Sequence, residues 1–277
     1  MAGRKAKPVN PADLKAIFGL EPEAAIEYLK GKGYTITWNW QEMLDKAHEQ
    51  AFTVAKAMRL DVLSDIREAL ETALQDGKTL QQFITDLQPV LEAQGWWGKQ
   101  VLVDSQGDAE LVQLGSPRRL KTIYQTNLQS SYMAGRKAAM EDTAETHPYW
   151  QYIAVMDGMT RPSHAMLNGK VYRHDDPIWS AIFPPNGFNC RCRVTALSEA
   201  AMKRRGLTLA YSRGTVSTDT VEIGTNKRTG EIYTAAVTRV RTTDANGRPV
   251  VFSVDPGFNY APGEGLAEAL RRKREAA

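Results

Sequence analysis

Two hydrophobic periodicities, one following the other, constrain this chain more than any other feature. Up to about Met140 the apolar residues recur at spacings of three and four, the period of amphipathic helices. At His147-Pro148 the texture changes to short runs rich in β-branched and aromatic residues, the signature of strands. Helices first and strands afterwards, without regular alternation, predict an α+β chain rather than a parallel α/β sheet.

The helical part divides at its caps and breakers. Pro11 opens a short helix with Leu14, Ile17 and Phe18, and Pro22 a second with Ala25, Ile26 and Leu29, which stops at Gly31. Trp40, Met43, Leu44, Ala47, Ala51, Val54, Ala55 and Met58 predict a long helix, continued by Val62, Leu63, Ile66, Leu70 and Leu74 as far as Gly77. His48 lies on that stripe as a surface or satisfied residue. Thr79 and Gln82 form a capping box for the next helix, within which Pro89 predicts a kink or break. After GWWG at 95–98 and a predicted loop over 104–116, Ser116 and Pro117 start a helix running to about Met140. Leu120, Ile123, Tyr124, Leu128 and Tyr132 form its buried stripe; Arg118, Arg119, Lys121, Arg136 and Lys137 are expected as a solvated basic face.

Beyond His147, strands are expected over 149–156 and 191–197, with a short extended piece at 169–172 and a helical turn at 176–179. Ser198 caps a helix through Arg204. Strand-like pieces follow at 216–224, 231–242 and 248–254, the last two joined as a hairpin through Asp244-Ala-Asn-Gly. The predicted organisation is a lead with short helices (1–39), a central domain (40–205, helical to 145 and loop-rich from 146) and a β-rich region with a basic helical tail (206–277).

With 42% hydrophobic and 24% charged residues, the chain can bury a sizeable core, and a net charge of +3 does not describe a nucleic-acid-coating protein. The positive charge gathers at the ends, in MAGRKAK and RRKREAA. No run approaches the roughly 18–20 apolar residues of a membrane span, and no apolar segment follows the basic start as a secretory signal requires. The two cysteines, Cys190 and Cys192, are too close for an unstrained bridge and are read as reduced thiols of a cytosolic protein.

The chemistry-bearing residues collect in 157–193. His164, His174, Cys190 and Cys192 offer four donors suited to tetrahedral zinc, but Cys-x-Cys is not the usual zinc-knuckle spacing. Asp157 with His164 suggests a base and its orienter, yet no nucleophile motif accompanies them, and neither a Walker-type loop nor G-x-G-x-x-G occurs. The preferred reading is structural. Asp157, Arg161, His164, Asn189 and Arg191 hydrogen-bond a loop-rich segment into place, Cys190 and Cys192 are buried small residues of a strand, and Pro184-Pro185 stiffens the return. No cofactor is required by this reading.

The same segment resembles the Mu F-like minor head proteins of tailed phages, the phage head morphogenesis family. The resemblance rests on TRPSHAMLNG (160–169), DDPIW (175–179) and PPNGFNCRCRVTAL (184–197), and spans roughly residues 40–200. GWWG and the helix carrying YQTNLQSSYMAGRKAAM are similar to the family's upstream part. One departure is Gly158, where relatives often carry a second acidic residue; this weakens a two-carboxylate scheme. The resemblance implies a non-enzymatic, low-copy virion component, in the host cytoplasm during assembly and then in the head. Its partners would be the portal and other head proteins, with phage DNA as a further one and no membrane contact. Some relatives carry C-terminal toxin domains; the residues after 205 have no catalytic constellation and are read as an interaction region. A metal-dependent hydrolase or nuclease using Asp157, His164, Cys190 and Cys192 is the rival, and a DNA-binding module using the basic tails is a third reading.

Overall fold

The computed structural model describes residues 23–103, 109–226, 229–244 and 247–275. The predicted 11–18 helix and the N-terminal basic run lie outside the described residues. The helical half is centred on a long helix that follows the predicted caps. Helix α1 (Glu23–Lys30) precedes α2 (Ala47–Gln50), α3 (Leu60–Asp76), α4 (Leu80–Ala93) and α5 (Pro117–Asp142), and α5 packs against α1, α3 and α4. Helix α3 buries Val62, Leu63, Ile66, Leu70, Ala73 and Leu74 on one face and ends at Gly77, whose φ of +68° suits glycine. The capping box forms as expected: Thr79 Oγ1 accepts from the Gln82 N–H at 3.3 Å, and Gln82 Oε1 accepts from the Thr79 N–H at 2.8 Å. Pro89 does not break α4, which continues to Ala93. Ser116 caps α5 by accepting from the Arg119 N–H at 3.2 Å.

Three expectations are overturned. The Trp40–Met58 stripe is not one helix but a 3-10 turn (Trp40–Glu42), the single turn α2 and a two-residue strand, β2 (Ala51–Phe52), parallel to β1 (Gly33–Tyr34). Asp45 and Lys56 have φ of +51° and +64°, outside the right-handed helical region. Of the predicted stripe only Met43 and Val54 are buried, while Trp40, Ala47 and Met58 are exposed; Phe52 and Ala57, off the stripe, fill the core instead. The stretch after GWWG is an antiparallel hairpin, β3 (Lys99–Val103) with β4 (Ala109–Gln113), rather than an irregular loop. Arg119 and Arg136 are not solvated. Arg119 donates to the carbonyls of Gln113 at 2.8 Å and Leu114 at 2.9 Å and lies 4.8 Å from the Trp96 ring centre; burial pulls its pKa down to about 10. Arg136 donates to the Val194 carbonyl.

The strand-rich half contains two three-stranded antiparallel sheets. In the first, β5 (Tyr149–Ile153) lies between β6 (Val171–Arg173) and β7 (Arg193–Leu197). The connections carry α6 (Pro162–Ala165) and α7 (Trp179–Ile182), and α8 (Glu199–Arg205) follows its Ser198 cap. In the second, β9 (Ile232–Thr243) is flanked by β8 (Val216–Thr225) and β10 (Pro249–Ser253), and the Asp244 carbonyl accepts from the Gly247 N–H at 3.1 Å between β9 and β10. Helix α9 (Leu266–Glu275) packs on α5. A continuous set of buried side chains runs from Ala25 through Leu70, Tyr132 and Trp150 to Phe258, joining both halves. Trp150, Trp179 and Phe183 form its aromatic centre, with ring centroids 5.7–6.2 Å apart. Among the described residues no helix is long and apolar enough to cross a membrane.

Candidate functional site

After β5 the chain turns at Asp157, and Pro162 opens the short helix α6, which carries His164 into the interior. It returns past Pro184-Pro185 to Asn186, which is fully buried and donates to the Ile182 carbonyl at 3.0 Å and to the Tyr152 hydroxyl at 2.9 Å. Gly187 admits no side chain: a Cβ there would stand 2.1 Å from Asp255 Oδ2 and 2.8 Å from Arg161 Nη1. Asn189 adopts φ of +59°, a conformation asparagine tolerates better than most residues. Cys190, Arg191 and Cys192 then lead into β7 with both thiols inward and the guanidinium outward.

The inner groups converge. His164, Cys190 and Cys192 are 2%, 5% and 2% exposed, and both sulfurs lie 3.6 Å from His164 Nδ1. One donor atom from each of the three residues lies within 4.8 Å of the other two. Tyr152, which accepts from Asn186 Nδ2, neighbours Cys192, and Gln129 Nε2 on α5 donates to the Cys192 carbonyl at 2.7 Å. Burial opposes charge on Cys190, but the hydrogen bonds from Cys192 and His164 and the charge of the imidazole outweigh it, so its thiol titrates below the ordinary range. Cys192 moves the opposite way, held protonated by its hydrogen bond to Cys190, by burial and by the neighbouring sulfur's charge.

The outer groups form a clamp. Arg191 binds Asp157 in bidentate fashion at 2.6 and 2.8 Å, and that hydrogen bonding holds the Asp157 carboxyl well below the usual carboxylate range. Arg161 reaches the Asp255 carboxylate at 3.0 Å and the Phe188 carbonyl at 3.0 Å, tying the segment to the chain beyond β10.

The structure therefore divides the predicted cluster. Asp157 pairs with Arg191 rather than with His164, and the group of mutually close donor atoms consists of His164, Cys190 and Cys192 without it. His174 is not part of the donor group either; it is half-buried with its ring 6.3 Å from that of Trp150. Sequence reasoning missed Tyr152, Asn186 and Gln129. Gln129 left a signal, as a polar residue directly after Leu128 on the buried face of α5; Tyr152 and Asn186 left none apart from their neighbours.

A separate cavity of about 350 Å³ lies beside α5, with Lys32, Arg118, Arg119 and Asn127 among aromatic walls that include Phe52 and Phe258. Lys32 is buried there, which lowers its pKa to about 8, and it donates to the His48 carbonyl at 2.5 Å. His48 is likewise pulled down to about 4 by burial and by Lys32.

Sequence comparison agrees with the geometry on which stretch matters. The profile described as phage Mu protein F-like protein matches residues 64–195, which include the whole donor cluster. A protein of Escherichia phage Mu, named for capsid assembly as protein F, is 49% identical over 269 residues, 96% of this chain and 60% of its own length. The Mu-like prophage FluMu F protein of Haemophilus influenzae is 45% identical over 241 residues, 86% of this chain and 56% of its own length. The chain thus spans less than two thirds of either relative. No solved structure matches it. With the signature residues built into one buried cluster and its clamp, the chain belongs to the phage Mu F-like protein family.

Proposed function

We propose that this chain acts in phage head morphogenesis as a low-copy minor head protein, associated with the portal or inner head, that works by binding rather than by catalysis. It would meet its partners in the host cytoplasm during assembly, remain in the head, and support DNA packaging or delivery. The observation that carries this is the 49% identity, over 96% of the chain, to the phage Mu protein named for capsid assembly.

Two features support a binding role. The donor cluster is sealed, so a macromolecular substrate would have no route to it. The hairpin β3–β4 instead presents Val101, Val103 and Leu111 to solvent, each 62–65% exposed, with Val101 and Leu111 paired across the strands. An exposed apolar row of this kind is what association with another head protein would cover. A DNA role for the C-terminal basic helix is less favoured. Arg271 already pairs with Asp142 at 2.8 Å and Arg272 with Glu268.

The test is affinity capture with the portal protein under conditions where heads assemble. Recovery of portal with this chain is expected; recovery of none would count against the proposal. DNA binding is checked separately by salt titration, where each neutralised phosphate lowers the affinity by about 0.9 log unit per log unit of salt.

A further inference from the structure

We propose that His164, Cys190 and Cys192 bind a structural zinc ion that locks the 157–193 segment onto the core. Zinc–sulfur bonds of about 2.3 Å and a zinc–nitrogen bond of about 2.0–2.1 Å, opened to a tetrahedral angle, put sulfur and nitrogen about 3.6 Å apart. Both observed sulfur-to-Nδ1 separations are 3.6 Å.

Hydrogen bonding alone accounts poorly for that arrangement. An imidazole nitrogen has either one lone pair or one proton to share, yet two thiols approach this one at equal distance. Three donors around a common centre satisfy all three contacts together. The donor set also selects the ion: two thiolates and an imidazole suit zinc and not magnesium or calcium. Zinc takes thiolates and a neutral imidazole, so binding would release whatever protons the three donor atoms hold, and the cation would offset the charge of two buried thiolates.

The site is structural rather than catalytic because it is closed. His164, Cys190 and Cys192 are all buried, and the small cavity beside Cys190, lined also by Asn189 and Gln129, is about 20 Å³, room for roughly one water and not for a substrate. Among the described residues no fourth histidine, cysteine or carboxylate joins the group. The ion would close loops of 26 and 28 residues between His164 and the two cysteines, a link the polar clamp makes only at the surface.

The experiment is metal analysis of the full chain purified without added metal. One zinc per chain is expected, lost on Cys190→Ser or Cys192→Ser and kept on His174→Ala and Asp157→Asn. Loss on His174→Ala with retention on Cys192→Ser would overturn the ligand set. Because the serine variants can fail to fold, chelator-treated wild-type chain is also titrated with Co(II). The visible bands of tetrahedral cobalt and a thiolate charge-transfer band are expected at one equivalent. A folded wild-type chain that carries no zinc and gives neither band overturns the proposal.

Discussion

The 157–193 segment and the β3–β4 hairpin invert the ordinary distribution of polarity in opposite directions. The segment buries an imidazole, two thiols and the Asn186 amide; the hairpin exposes Val101, Val103 and Leu111 and buries only Val112 along its two strands. Buried polar groups and exposed apolar rows are the informative departures from the rule that apolar residues lie inside. A buried polar group must find partners within the chain, so the segment is a problem that the fold solves internally. The apolar row of the hairpin has no such solution among the described residues. One region explains how the chain holds itself; the other is the surface that the proposed binding role would use.

That contrast can be pressed from either side. Trp150→Ala would empty the aromatic centre beneath the segment; a loss of about 3–5 kcal/mol is expected from urea unfolding of the full chain. A loss near zero would show that the segment is not seated on that core. Gly187→Ala would force a methyl group into the Arg161–Asp255 contact, lowering stability by about 1–3 kcal/mol, as overpacking does. Unchanged stability would mean that the clamp gives way freely.

Asp157 supplies a pH test. Its folded carboxyl titrates below the ordinary value, so the stabilisation from the Arg191 pair is complete above the unfolded pKa of about 3.9 and is lost as pH falls through the lower folded value. The Asp157→Asn variant should melt below wild type at neutral pH, with the two curves converging in acid. Curves that stay parallel would remove this ion pair from the clamp. The smallest stability effect belongs to the hairpin. Val101→Thr with Leu111→Thr should change stability by less than about 0.5 kcal/mol and yet weaken capture by portal or another head protein. Full capture with both substitutions would move the interface elsewhere.

How much of this was legible depends on where the determining partners lie along the chain. Helices α3, α4 and α5 were readable because stripe, cap and stop are local: Ile66 and Leu70, Thr79 and Gln82, Ser116 and Pro117. The Trp40–Met58 stretch misled for the complementary reason. Its apolar spacing is helical, but β2 pairs with a strand eighteen residues earlier in register, and Asp45 and Lys56 take left-handed φ, which Lys56 does not signal by its identity. The hairpin was hidden because strand patterning reports a buried face, and here the apolar residues point outward. Within the site, residue types identified His164, Cys190 and Cys192 as a group. They could not show that Arg191, set between the cysteines, would take Asp157 away from the imidazole, or that His174 would turn to Trp150. Those choices are made by the register of β7 on β5 and by the turn at Asn189.

The binding role is tested most directly by counting this chain against the portal protein in density-purified phage particles by quantitative mass spectrometry. A low-copy head component predicts a reproducible few copies per portal ring. Complete absence from mature particles, with the portal present at full complement, would contradict a resident place in the head.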